Sequence, residues 1–185
     1  MIQKMQAWLA VVLVVLFSVF TIQQANFAIS DYEQYAEILY QQNIELRERL
    51  DLMKFYNIKP LHFEWLEIYC NKYDLDFDFM VRLLLVESND NPTAKSPKNA
   101  YGLMQVQYPT AKDVDSTLVS YWQLYDPCTN IRIGTAYFRW LLDWYDGDYK
   151  LAALAYNQGV ARIDRLLAEG IEPYDGYFKK IGATF

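Results

Sequence analysis

Histidine occurs once in this 185-residue chain, at position 62, and cysteine twice, at 70 and 128. One histidine removes most Ser-His-Asp and Cys-His arrangements and most histidine-built zinc sites. Cys70 and Cys128 lie too far apart for a paired metal motif, so no metal or organic cofactor is expected. In an exported chain the two thiols either form a disulfide or stay separately buried, and the sequence does not choose between these. No cysteine precedes Cys70, which argues against an N-terminal lipid-bearing cysteine. Basic residues number 17 against 23 acidic, a net charge of −6, so nucleic acid is not an expected partner. Glycine is scarce, at seven. No alternating strand pattern lasts more than a few residues, and there are no internal repeats or low-complexity tracts.

What is present is apolar and aromatic: 53% hydrophobic residues and 16 tyrosines. That suffices for one folded domain with appendages. Tyrosine serves equally as core filler and as a surface for sugar rings. The pattern divides the chain into residues 1–29, 30–59 and 60–185. After Lys4 no charge appears until Asp31, and Ala7 to Ile22 is nearly all apolar, about 24 Å as a helix and just long enough for a membrane span. An uncleaved anchor is expected over a cleaved signal, whose candidate sites (Asn26 and Ala28, or Ala28 and Ser30) are poor. Lys4 should stay cytoplasmic and the remainder be exported. Ser30-Asp31-Tyr32-Glu33 reads as a capping box opening a helix to about Tyr56. Along residues 32–53, Tyr32, Leu39, Leu46 and Met53 recur every seven residues, with Ala36, Asn43 and Leu50 between them. This is either a homodimer seam with Asn43 fixing register, or an amphipathic helix that packs on the domain or acts as a spacer.

From Pro60 onward the pattern is helical, which predicts an all-α domain. Asp126-Pro127 and Asp148 read as helix starts, and Gly147, Gly159 and Gly170 as helix ends. The most informative stretch is Phe79 to Gln105. Asp76 and Asp78 suit an N-cap and first turn, and the apolar run Phe79 to Val86 (broken only by Arg82) predicts a buried helix from about Phe77 to Ser88. Glu87 sits at its end, before Asn91-Pro92. Apolar surroundings and the negative end of the helix dipole both favour the protonated carboxyl, as a general acid requires. Most helices also end in charged residues, so position alone does not make Glu87 catalytic.

Glu87-Ser88, then Gly102-Leu103-Met104-Gln105, then Ala155-Tyr156-Asn157, in this order, resembles the lytic transglycosylases of bacterial peptidoglycan. Pro92, Ala94, Ser96, Asp126-Pro127, Asn130-Ile131 and Gly134 are also similar to that family. Thr110-Ala111 and Lys112-Asp113-Val114 resemble its membrane-bound members. The resemblance covers Phe63 to Ile181 and implies a lysozyme-like helical fold with a cleft for glycan strands. It implies that Glu87 first protonates the MurNAc–GlcNAc bridging oxygen and then accepts the proton of the muramoyl C6 hydroxyl, leaving a 1,6-anhydro end. Hydrolytic glycosidases use two carboxylates. Of the possible partners, Asp90, Asp113, Asp115 and Asp126, each has a plainer structural role. By the same resemblance, Ser88 and Gln105 hydrogen-bond Glu87 or the N-acetyl groups. Leu103 and Met104 line the cleft (or are plain core), and Gly102 brings the backbone close to the sugar. The Tyr156 phenol orients the carboxylate, Asn157 contacts substrate, and Tyr177 borders the cleft. Tyr174-Asp175 and Gln158 depart from the family pattern. A hydrolytic muramidase on the same fold and a catalytically silent wall-binding module remain the competing readings.

Overall fold

The computed structural model describes residues 2–182, with the side chains of 13–27 and 29–182. Lys4, the start of the expected span at Ala7, and Ala28 therefore lie outside the residues whose side chains are described. Two compact units result, one up to Leu52 and one from Met53.

The first unit consists of helix α1 (Ile2–Tyr56), which continues into the second unit. No helix begins at Ser30: with no Pro or Gly before Pro60, nothing interrupts the backbone, and the expected capping box lies inside a continuous helix. Leu13 to Ile22 project exposed apolar side chains, in a helix apolar and long enough to cross a membrane. The hydroxyls in this stretch turn back on their own helix, Ser18 Oγ donating to the Val14 carbonyl (2.8 Å) and Thr21 Oγ1 to that of Ser18 (2.9 Å). Backbone-satisfied hydroxyls of this kind suit an apolar surrounding. Further along, Tyr32, Leu39 and Leu46 are exposed, and Asn43 donates to the Leu39 carbonyl at 2.8 Å. The last seam position, Met53, instead packs against the core of the second unit.

In the second unit, Asn57 ends α1 with a positive φ of 52°, and Pro60 opens α2 (Pro60–Tyr73). Then come α3 (Phe77–Ser88), a strand pair β1 (Ala100–Tyr101) and β2 (Val106–Gln107), and α4 (Tyr108–Val114). A 3₁₀ turn (Tyr121–Tyr125), α5 (Pro127–Trp144), α6 (Tyr149–Gln158), α7 (Val160–Ala168) and α8 (Gly176–Gly182) complete the unit. The antiparallel strand pair was not expected; two residues per strand are too few to leave an alternating pattern. The expected caps form: Asp76, Asp126 and Asp148 accept from the N–H groups of Phe79, Thr129 and Leu151.

Helix α5 is the spine, with α2, α4 and α6 against it, while α3 is held by α2 and α8. Met80, Val81, Leu83 and Leu84 of α3 are fully buried, as are Phe63, Leu66 and Cys70 of α2 and Ile131, Ile133, Phe138 and Leu141 of α5. Burying each large apolar side chain contributes about 1.5–3 kcal/mol. Cys70 and Cys128 are both free thiols; burial pushes Cys70 up to about 12, and Cys128 Sγ lies 3.7 Å from the Tyr69 hydroxyl.

The loop between α3 and α4 is tied to the spine by one side chain. Asn130 of α5 is fully buried. Its Oδ1 accepts from Met104 N (2.7 Å), and its Nδ2 donates to the carbonyls of Tyr101 and Leu124 (2.8 Å each). Each of these groups left buried without its partner costs about 1–3 kcal/mol, so the Asn130 amide fixes the loop where it borders the cleft.

Candidate active site

Glu87 stands in the last turn of α3, and the turn behind it is held rigidly. Asn89 and Asp90 both take left-handed conformations (φ 51° and 59°), and Asn89 N–H closes the helix on the Leu85 carbonyl at 2.9 Å. Asp90 is buried; its Oδ2 accepts from Lys59 N at 3.0 Å and its Oδ1 lies 2.6 Å from His62 Nδ1. The single histidine, His62, lies in the first turn of α2 and pins the turn after Glu87 to the start of that helix.

The Glu87 carboxyl receives a hydrogen bond at Oε1 from the Tyr177 hydroxyl of α8. Burial pushes the Glu87 carboxyl above its ordinary range, opposed by that hydrogen bond and by the positive charge of Lys180. Desolvation, reinforced by the Glu87 charge, holds the Tyr156 and Tyr177 phenols well above theirs, so both remain neutral. Tyr177 occupies Oε1, and Oε2 has no hydrogen-bond partner among the described residues. The carboxyl opens into a cleft of about 500 Å³ whose walls include Gln105, Thr110, Tyr137, Tyr156 and Asn157. Glu87 is the only carboxylate among the described residues lining it.

The structure brings Glu87, Gln105, Tyr156 and Asn157 to this cleft and reassigns several expected roles. It is Tyr177, not Tyr156, whose phenol touches the carboxyl; the Tyr156 hydroxyl donates to the Met104 carbonyl at 2.7 Å and so braces the loop. Gln105 does not reach Glu87 with its amide nitrogen, which donates to the carbonyls of Ala94 (3.2 Å) and Gly102 (2.9 Å), leaving its Oε1 for a ligand. Ser88 Oγ turns back to the Leu84 carbonyl at 3.4 Å and is not part of the cleft wall. Leu103 and Met104 are core, fully buried. Met104 fits because Gly134 of α5 has no side chain, a Cβ there meeting its Sδ at 2.6 Å. Gly102 faces inward rather than toward sugar: its φ is +75°, and a Cβ would lie 2.2 Å from the Leu124 carbonyl and 2.4 Å from Asn130 Nδ2. Tyr137, on the cleft wall, was not expected there. On an amphipathic helix its aromatic character gives no sign of whether it lines core or cleft.

The second unit is thus a helical domain with a half-buried, hydrogen-bonded carboxyl opening on a polar cleft. Residues 65–171 match the family model of the transglycosylase SLT domain, more than half the chain, and the protein belongs to that family. Among curated relatives, the membrane-bound lytic murein transglycosylase E of Buchnera aphidicola is 41% identical over 78 residues, covering 38% of this chain and 35% of the relative. A transglycosylase of the enterobacteria phage PRD1 is 40% identical over 88 residues, covering 48% of this chain and 31% of the relative. The chain thus spans about a third of the length of these relatives. The 70 kDa soluble lytic transglycosylase of Escherichia coli superposes with a TM-score of 0.59 at 28% identity, over 64% of this chain and 22% of that one. A lytic transglycosylase of Pseudomonas aeruginosa, solved as an inactive Glu-to-Gln mutant, superposes with a TM-score of 0.54 at 28% identity, over 62% of this chain and 19% of that one.

Proposed function

We propose that this protein is a peptidoglycan lytic transglycosylase with Glu87 as its acid and base. The observation that carries the reading is a half-buried carboxyl, the only one among the described residues lining the cleft, raised above its ordinary range and held by Tyr177. Protonated Glu87 gives its proton to the bridging oxygen as the bond from that oxygen to muramoyl C1 breaks, and the GlcNAc unit leaves as an alcohol. The resulting carboxylate takes the proton of the muramoyl C6 hydroxyl while O6 bonds to C1. The net change is an intramolecular elimination with no water consumed, and Glu87 ends protonated. One carboxylate serves both transfers because each begins in the form the other leaves. Hydrolysis by a paired-carboxylate route needs a second acid across the bond, and none of the described lining residues supplies one. The apolar face of α1 supports attachment to a membrane, with the domain on the wall side.

The test is Glu87→Gln, which keeps shape and hydrogen bonding but can neither donate nor accept the proton. Release of glycan fragments from purified sacculi should fall by at least roughly 10²–10⁴-fold. A variant releasing fragments at near wild-type rate would sink the assignment.

A further inference from the structure

The cleft does not end at Tyr137. A second cavity of about 430 Å³ shares Thr110 and Tyr137 with it and continues past Asp113, Trp140 and Val160. Tyr137 and Trp140 line this second cavity, within a row of four aromatic rings from Tyr156 to Trp144, the last of which lies outside the lining. Tyr156 meets Tyr137 (centroids 5.5 Å apart), Tyr137 stacks on Trp140 (5.9 Å, 13° between planes), and Trp140 meets Trp144 (5.4 Å). Positions 137, 140 and 144 share one face of α5, spread over about 10 Å, roughly the length of a disaccharide repeat. The row is not core: Trp140 is 47% exposed and Trp144 54%. Contiguous exposed aromatics on a folded domain mark a binding surface.

We infer that Trp140, with Tyr137, forms an outer glycan subsite that holds the strand beyond the reacting sugars. The inference rests on the glycan-cleaving reading above and extends it along the same cleft. A sugar ring offers an apolar C–H face, which a flat indole covers, and equatorial hydroxyls, for which the Asp113 carboxylate on the cavity wall is an acceptor. The occupant is the glycan strand rather than another ligand because the two cavities adjoin at Thr110 and Tyr137, so a strand leaving the Glu87 cleft on that side runs into the second cavity. The subsite acts on strand binding, and the proton transfers at Glu87 do not depend on it.

The experiment compares wild type, Trp140→Ala and Trp140→Phe on two probes. Affinity is measured for long peptide-free glycan strands, and turnover for a tetrasaccharide that the Glu87 cleft accommodates. Loss of one aromatic contact should weaken long-strand binding by about tenfold in Trp140→Ala, with most of it restored in Trp140→Phe. Tetrasaccharide kcat/KM and the melting temperature should stay at wild-type values. Unchanged long-strand affinity or an equal loss on the tetrasaccharide would each overturn the subsite. Binding is read separately from turnover. A chain that holds strands through Trp140 yet leaves no cleaved ends would therefore contradict the activity reading and leave the subsite standing.

Discussion

At the scale of single residues, the chemistry depends on how two opposing influences set the Glu87 carboxyl. Burial raises it; the Tyr177 hydroxyl, donating to Oε1, and the Lys180 charge stabilise the ionised form and pull it down. Tyr177→Phe removes one of the lowering influences, so the carboxyl should keep its proton to higher pH. The alkaline limb of kcat/KM, where the acid is lost, should move upward, and Lys180→Gln should move it the same way. Because Tyr177 also fixes the carboxyl's orientation, Tyr177→Phe should lower kcat by roughly 10- to 100-fold. A pH–rate profile checks the sign: a limb that stays in place or moves to lower pH contradicts the arrangement. This hydrogen bond was not legible in the sequence. Glu87 and Tyr177 are 90 positions apart and meet only because α8 packs on α3. The sequence motif draws attention to Tyr156, which sits in the cleft wall but spends its hydroxyl on the Met104 carbonyl.

At the scale of elements, what is local was legible and what depends on packing was not. The caps at Asp76, Asp126 and Asp148 each involve a side chain and an N–H three residues on, so the residue types announce them. The stretch from Gly102 to Gln105 shows the opposite case. The family resemblance points to cleft lining, but Asn130 and Gly134 draw Gly102 and Met104 inward, so only Gln105 faces the cavity. Helix α1 shows a third, since the local cap signal at Ser30 yields to an uninterrupted helical context. The exposed apolar face from Leu13 to Ile22 carries the prediction at this scale. The full chain should sediment with membranes and resist an alkaline carbonate wash, and a chain starting at Met53 should be recovered in the supernatant. Full-length protein recovered in the wash would contradict an α1 anchor, and an N-terminally shortened mass would show a cleaved signal instead.

At the scale of the whole molecule, the second unit sets one carboxyl at the edge of a cleft. Helix α3 buries its middle, at Met80, Val81, Leu83 and Leu84, and Glu87 emerges at its end. Lys59 and His62 pin the turn behind it, and α8 brings Tyr177 to its side. The rest of the described lining includes the amides of Gln105 and Asn157, the phenols of Tyr137 and Tyr156 and the Lys98 amine, with no further carboxylate. On the proposed reading a hydroxyl of the substrate, not water, closes on C1: no second carboxylate is among the described residues lining the Glu87 cleft, and Asp113 stands on the wall of the neighbouring cavity. The mass of the sugar ends released from purified sacculi tests this most directly. The account predicts 1,6-anhydromuramoyl ends from the wild type, lighter than reducing ends by the mass of a water molecule. Predominantly reducing, hydrolysed ends would contradict it and make the protein a muramidase on the same fold.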